Sequence, residues 1–292
     1  MLSQYLLSGI TTGAIYALVA LGFAIIYNAS HVINFAQGEF VMIGGMATAT
    51  FFEAGLPLPL AVPLAIGTAT LVGVLLEKLA VEPAREASVV TLIIITIGAS
   101  ILLRGLATLV WDKKIHRVPA FSGEEPLVIG SGAGSATLLP QVLWVLGVSA
   151  VAVALLTWFF RRTLTGKAII AVSHNRLAAR LMGISVRRVL AVSFALSAAL
   201  GALAGALIAP IAFTSWDVGV MLGLKGFAAA ILGGMGSSAG AVVGGLALGL
   251  IEALGAGYLS SAYKDVFAFL IIIAALVFLP NGLLGRRAAE RV

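Results

Sequence analysis

The sequence predicts an all-α fold, a polytopic transmembrane helical bundle of about eight to nine spans. Of its 292 residues, 61% are hydrophobic and 10% are charged, whereas a soluble domain is roughly 45–50% apolar and about 25% charged. The apolar residues form continuous runs rather than alternating with polar ones, which excludes a transmembrane β-barrel. The same composition argues against a water-soluble enzyme and against intrinsic disorder.

Uncharged runs locate the spans, because a spanning helix needs about 20 mostly apolar residues. The second and seventh predicted spans are short or rich in glycine and contain Glu39 and Lys225, so we expect broken or re-entrant helices there. We treat residues 1–292 as one transmembrane domain with a first half of about 1–138, a connecting segment of about 161–188 and a second half of about 189–285. The predicted spans are 5–27, 38–52, 56–76, 88–110, 139–160, 189–210, 218–235, 238–256 and 265–283.

Basic loops predict the orientation of the bundle. Residues 161–188 carry only basic charges, and the tail adds Arg286, Arg287 and Arg291. By the positive-inside rule both segments face the cytoplasm, which places residues 111–138 outside. The side of the N-terminus stays open, because it depends on whether 38–52 crosses the membrane fully.

No catalytic, metal or cofactor site is predicted. The chain has no cysteine and three histidines, and these histidines form no cluster with acidic residues, so thiol chemistry and a metal site are not expected. The glycine-rich Gly233–Ser238 stretch lacks the spacing of a phosphate-binding loop. No basic patch on a soluble fold indicates nucleic-acid binding.

Glycine pairs and a weak internal repeat suggest how the bundle packs. Pairs spaced by four residues let helix backbones approach closely, either within one subunit or at a dimer seam. The triplets at Gly44–Met46 and Gly233–Met235 lie 189 residues apart, which places the first span on the sixth. The glycine pairs are Gly9/Gly13, Gly201/Gly205, Gly219/Gly223, Gly240/Gly244 and Gly245/Gly249.

Polar residues crowd between the first two spans. Asn34, Gln37 and Glu39 either line a pathway or hold a broken helix together, because ionisable groups within membrane segments are usually functional. The alternative is an interfacial loop with Glu39 in a first helical turn, favoured by the helix dipole.

A second polar segment includes Asp217 and Lys225. Lys225 needs a partner or access to water, and Glu39 and Asp217 are the candidate partners. We predict that Glu39 and Lys225 pair across the two halves; the alternative is that Lys225 snorkels to the interface.

The cytoplasmic stretch Thr163–Arg188 is predicted to form one amphipathic surface helix that ends at Gly183. Such a basic helix binds anionic lipid or docks a partner. Its length exceeds what a simple connection needs, which favours a partner.

Together these segments resemble the permease subunits of ABC importers for branched-chain amino acids, specifically the smaller H-type. The four motifs that carry the resemblance run through nearly the whole chain. They are Asn34–Glu39, Thr165–Ala168 followed by Asn175, Ala178 and Gly183, Lys225–Phe227 with Gly233–Ser237 and Gly240–Ala241, and Pro280–Gly285.

The resemblance implies a transport subunit of the bacterial inner membrane rather than an enzyme. A homologous second permease would share the path, a periplasmic protein would deliver the amino acid, and two cytoplasmic ATPases would bind the ATP. Leu177 stands where classical ABC permeases carry a glutamate in their coupling segment, so the contact made by that glutamate is not expected. The implied coupling residues are Gly166, Lys167, Asn175, Arg176, Ala178, Ala179 and Gly183.

The sequence also fits two other classes of membrane protein. One is a secondary transporter driven by ions or protons with Glu39 as the coupling group, and the other is a passive channel or scaffold. Related permeases of the same family that carry urea or short amides also remain open. Only an ABC permease needs a docking helix, so the segment 161–188 discriminates between these classes.

Overall fold

The computed structural model describes residues 2–84, 87–129, 136–259, 261–279 and 281–285. Pro280 and the tail arginines Arg286, Arg287 and Arg291 lie outside these ranges. The helices within them are α1 (Leu2–Ser30), α2 (Gln37–Glu53), α3 (Leu58–Leu76), α4 (Val89–Trp111), α5 (Pro140–Arg162), α6 (Leu164–His174), α7 (Arg176–Leu181), α8 (Val186–Ala212), α9 (Val218–Gly233), α10 (Ser238–Tyr258) and α11 (Lys264–Phe278).

Four short elements accompany these helices in the described ranges. A π-helical turn, Glu77–Val81, continues α3, and a 3₁₀ turn, Ser261–Tyr263, precedes α11. Strands β1 (Leu127–Ile129) and β2 (Ala136–Leu138) pair antiparallel, with Leu127 opposite Leu138.

The predicted helical membrane bundle is confirmed, and each predicted span coincides with a helix. In the described part of the chain, six helices are long and apolar enough to cross a membrane: α1, α3 with its π-helical turn, α4, α5, α8 and α10. Helices α2, α9 and α11 are shorter, with 17, 16 and 15 residues. The total of eight to nine spans therefore stays a prediction.

Helix α1 is the centre of the bundle. In the apolar 18-residue stretch of α1, 89% of the residues are buried, whereas the corresponding share for α4 is 17%. Helix α4 therefore lies at the periphery. Glycines allow α1 to lie directly against α10: a Cβ added at Gly9 would come 2.9 Å from the Cα of Leu250, and one at Gly13 would come 2.9 Å from the Cα of Leu246. The partners of both glycines lie in the same chain, which confirms packing within one subunit for this glycine pair.

The two halves repeat the same order of elements. A long helix, a break, a short helix and a long helix follow one another as α1–α2–α3 and again as α8–α9–α10. Each first helix is followed directly by a non-glycine residue with positive φ, His31 at 55° and Phe213 at 59°. The order therefore agrees with the predicted repeat.

The predicted register of the repeat is wrong. Gly44 and Gly45 lie in the middle of α2, against Ala202 and Thr214 of the second half, whereas Gly233 and Gly234 lie where α9 ends. The glycines of the first triplet allow close helix contact, and Gly234, with φ of 107°, forms a turn. The shared letters therefore have unrelated physical causes.

Two ends of the bundle can be distinguished. At one end, His116 and Thr214 form an isolated β-bridge, and the Gln4 side chain is hydrogen-bonded to the backbone of Thr137 in β2. At the other end lie α6, α7, the start of α8 and the α9–α10 turn, where Asn28 Nδ2 donates to the Gly236 carbonyl at 2.8 Å.

Single-cysteine labelling checks the predicted orientation. Lys167 and Lys113 are exposed at opposite ends, and the chain has no other cysteine. We expect Lys113→Cys, and not Lys167→Cys, to react with an impermeant thiol reagent added to intact cells. Strong labelling of Lys167→Cys from outside would reverse the orientation.

Candidate functional site

The break between α1 and α2 is held by buried polar side chains. Asn34 is 1% exposed, and its Oδ1 accepts from the Ala36 N–H at 3.1 Å, which fixes the turn before α2. Gln37 is fully buried, and its Nε2 donates to the Ser197 carbonyl of α8 at 3.1 Å. The Ser197 hydroxyl lies between Gln37 Oε1 and the Gly22 carbonyl, so Gln37 joins α1, α2 and α8.

Helices α2 and α4 run side by side in a constant register. The Phe35 N–H donates to Thr96 Oγ1 at 3.2 Å, and near the other end Trp111 Nε1 donates to Thr50 Oγ1 at 2.6 Å. Between them the Ser100 hydroxyl donates to Glu39 Oε1 at 2.7 Å. Because Ser100 is near the middle of α4, a helix of about 34 Å at 1.5 Å per residue, Glu39 lies deep within the bundle.

Glu39 is 1% exposed and forms an ion pair with Arg104 of α4. The Arg104 Nε lies 3.2 Å from Glu39 Oε1, and the Arg104 side chain is 29% exposed. Among the described residues, Glu39 Oε2 and Asn34 Nδ2 are buried without a hydrogen-bond partner. The break therefore offers one carboxylate acceptor and one amide donor that the described fold leaves unused.

Lys225 is held in a second ionic cluster. Its Nζ lies 2.7 Å from Glu252 Oε1 of α10 and 2.7 Å from Asp265 Oδ1 of α11. The Tyr16 hydroxyl of α1 donates to Glu252 Oε2 at 2.8 Å, and Lys225 Nζ lies 5.6 Å from the centre of the Tyr16 ring. The cluster ties four helices together and contains two acids for one base.

The predicted pair of Glu39 and Lys225 is wrong. Each charge has its own partners on other helices, and Asp217, the other candidate, instead accepts from Ser215 Oγ at 2.6 Å. Lys225 is 4% exposed and paired, so snorkelling to the interface does not describe it either. A buried charge is stabilised by the nearest opposite charge, and the α2–α4 and α9–α11 contacts supply one in each half.

Helices α2 and α9 cross where their first turns meet. A Cβ at Gly38 would overlap the Gly219 carbonyl, and a Cβ at Gly223 would come 2.9 Å from the Cα of Gly38. A Cβ at Gly219 would come 3.1 Å from Glu39 Oε2. The two breaks are therefore in direct contact, although their charged residues are not.

Sequence reasoning missed Arg104, Glu252 and Asp265. Arg104 and Glu252 each end an uncharged run, and both lie inside predicted spans, 88–110 and 238–256. A single charge within an apolar span was the available signal, and Asp265 at the start of its span offered a weaker one.

The predicted surface helix over Thr163–Arg188 is divided into α6 and α7 at Asn175. Asn175 has an extended backbone, and its Oδ1 accepts from the Ala178 N–H at 2.9 Å. An asparagine that caps a new helix in this way interrupts the preceding one. Gly183, with φ of 79°, follows the end of α7 as predicted.

The predicted coupling residues do not share one face. Gly166 and Ala179 are buried and Arg176 is partly buried, whereas Lys167, Asn175, Ala178 and Gly183 are exposed. On α7 and directly after it, three large apolar side chains that were not predicted as coupling residues project outward. They are Leu177, Leu181 and Met182, which are 68%, 80% and 82% exposed.

Arg176 connects α7 to the end of α1. Its Nη2 donates to the Ala29 carbonyl at 3.1 Å, in the last turn of α1, where free carbonyls attract cationic side chains. Burial, together with the nearby Arg176 charge, lowers the pKa of His31, so this imidazole is neutral at pH 7.

Comparison with known proteins identifies the family. Residues 5–276 match the family described as the branched-chain amino acid transport system permease component. The chain belongs to this permease family. The high-affinity branched-chain amino acid transport system permease protein LivH of Salmonella typhimurium is 34% identical over 99% of this chain and 97% of its own length. LivH of Escherichia coli K12 is 35% identical with the same coverage.

A solved structure supports the fold. PsaBC from Streptococcus pneumoniae, determined in complex with a Fab, superposes with a TM-score of 0.51 over 95% of this chain and 92% of its own. The two share 14% identity, so this likeness concerns the fold alone.

Double-mutant cycles test the two ionic clusters. Removing one partner of a buried pair costs roughly 3–5 kcal/mol, because the other charge is left unpaired. We therefore expect Lys225→Met and Glu252→Gln to be strongly non-additive in thermal stability, and Glu39→Gln with Arg104→Met likewise. The crossed pair, Glu39→Gln with Lys225→Met, serves as the control and should be additive; coupling there would contradict the separate clusters.

Proposed function

We propose that this chain is the membrane-spanning permease subunit of an ATP-driven importer of branched-chain amino acids in the bacterial inner membrane. Family membership and near-full-length similarity to LivH support this role. A homologous second permease, a periplasmic binding protein and two cytoplasmic ATPases would complete the transporter. ATP would bind to those ATPases, while this chain provides part of the path.

The exposed apolar edge of α7 is the observation that carries the coupling role. Leu177 and Leu181 are one turn apart on the same face of α7, and Met182 follows directly after the helix; all three side chains are exposed at this end of the bundle. Exposed large apolar residues mark a contact with a protein or a membrane, and in the proposed transporter the ATPases would cover them. Since Leu177 replaces the acidic residue of classical ABC permeases, the contact here would be apolar.

The path would run along the meeting point of the two breaks. Asn34 and Glu39 each leave a buried polar atom unpartnered there, and an amino acid carries both an ammonium donor and a carboxylate acceptor. The surrounding helices supply mainly apolar side chains, which suit an aliphatic cargo. Gln37 would hold α1, α2 and α8 together at the first break. Asp217 would stabilise the start of α9, and Lys225 would fix its middle to the neighbouring helices.

The docking role predicts a specific loss of ATPase binding. Leu181→Glu should weaken association with the purified ATPases by about 2 kcal/mol or more, as for a central apolar contact residue, because a carboxylate would be buried without a partner. Ile115→Glu makes the same chemical change at an exposed position, 69% exposed, at the opposite end of the bundle. Affinity measured by surface plasmon resonance should fall only for Leu181→Glu.

Equal affinities of these two variants for the ATPases would remove α7 from the interface.

The cargo is tested separately with proteoliposomes of the complete transporter, by uptake of radiolabelled leucine with isoleucine, valine and urea as competitors. Competition by isoleucine and valine alone supports the branched-chain class, whereas competition by urea would assign the amide branch of the family.

A further inference from the structure

The π-helical turn at the end of α3 carries two acidic residues that the proposed path does not use. The Glu82 N–H donates to the Glu77 carbonyl at 2.7 Å, which closes a five-residue turn. In an α-helix, residues five apart point about 140° away from each other. The wider π turn instead places Glu77 and Glu82 one above the other on neighbouring levels of the same helix.

The two carboxylates have opposite surroundings. Glu82 is paired with Arg187, whose Nε contacts Glu82 Oε1. Glu77 is fully buried, and neither of its carboxylate oxygens has a hydrogen-bond partner among the described residues. A buried carboxyl group without a partner is costly, so a second arrangement that satisfies it would offset this cost.

Arg187 is positioned to supply that partner. Among the described residues, the charged groups close to Glu77 are Glu82, Arg187 and Lys78, and Lys78 is exposed on the same turn. Arg187 belongs to the first turn of α8 and packs beside the π turn from outside it. Its side chain is 68% exposed, so it is free to change partner.

The start of α8 is also linked directly to α7. Gly183, with φ of 79°, and the Ser185 cap separate Leu181 from Val186, and the Ile184 N–H bonds back to the Ala179 carbonyl at 3.0 Å. A displacement of α7 therefore acts on the first turn of α8, where Arg187 lies.

We propose that Arg187 alternates between two positions, bound to Glu82 in the described state and to Glu77 one turn deeper in a second state. The exchange would move the start of α8 along α3 by about one helical turn, roughly 5.4 Å. The two positions of Arg187 involve residues of this chain alone. Control of the exchange by ATP, in contrast, rests on the proposed function.

Two substitutions separate the positions. Glu82→Gln removes the described partner and should shift Arg187 to Glu77. Glu77→Gln removes the second partner and should hold Arg187 at Glu82, lowering uptake by about tenfold, a typical size for coupling between two sites. Lys78→Gln changes a neighbouring exposed charge on the same turn and should leave uptake unchanged.

A distance measurement reports the movement itself. Spin labels at Leu60→Cys, near the start of α3, and Arg188→Cys, beside Arg187, span most of the bundle, and the chain has no native cysteine. In the isolated chain in nanodiscs, Glu82→Gln should shorten this distance by about 5 Å, because Glu77 lies nearer to Leu60 than Glu82 does. Glu77→Gln should retain only the longer distance.

The outcomes distinguish the two proposals. Unchanged distances in Glu82→Gln, together with normal uptake in Glu77→Gln, would overturn the two positions of Arg187. A shortened distance in the isolated Glu82→Gln chain supports the two positions of Arg187. If ATPases and ATP then leave the distance in the unmodified chain unchanged, the two positions still stand, but the coupling role of α7 is contradicted.

Discussion

The pairing of charges inside the membrane is the constraint on which this bundle depends. An unpaired charge at mid-bilayer costs roughly 2.5–3.5 kcal/mol on insertion scales, and lipid offers nothing to solvate it. Glu39 is tied to Arg104 of α4, and Lys225 to Glu252 and Asp265 of α10 and α11. The ion pairs thereby hold α2 to α4 in the first half and α9 to α11 in the second. Because α2 and α9 are short, these ion pairs help to keep them in position.

Close backbone contact gives these short helices a common centre. Gly38 of α2 meets Gly219 and Gly223 of α9, and Gly245 of α10 packs against Ala17 of α1. Side chains at these positions would separate the helices, so the ionic clusters lie around the crossing rather than within it. The result is a core of backbone contacts surrounded by pairs of charges, in which the two breaks touch.

The sequence predicted the positions of the long helices well because lipid imposes the same demand on every residue of a spanning helix. It predicted partners poorly because pairing depends on which helices become neighbours. Matching Gly44 with Gly233 aligned letters rather than breaks and led to the wrong pair of Glu39 with Lys225. The division at Asn175 was missed because asparagine is tolerated inside helices and is recognised as a cap only when the Ala178 N–H bonds to it.

The segment that contains α6, α7 and the start of α8 reaches both halves of the bundle through two arginines. Arg176 holds the last turn of α1 at the Ala29 carbonyl, and α1 leads directly into the break that contains Asn34 and Glu39. Arg187 holds the π turn of α3 and begins α8, which ends in the second break at Phe213. Because helices are stiff along their axes, a displacement of α6 and α7 would be transmitted along α1 and α8 to both breaks together.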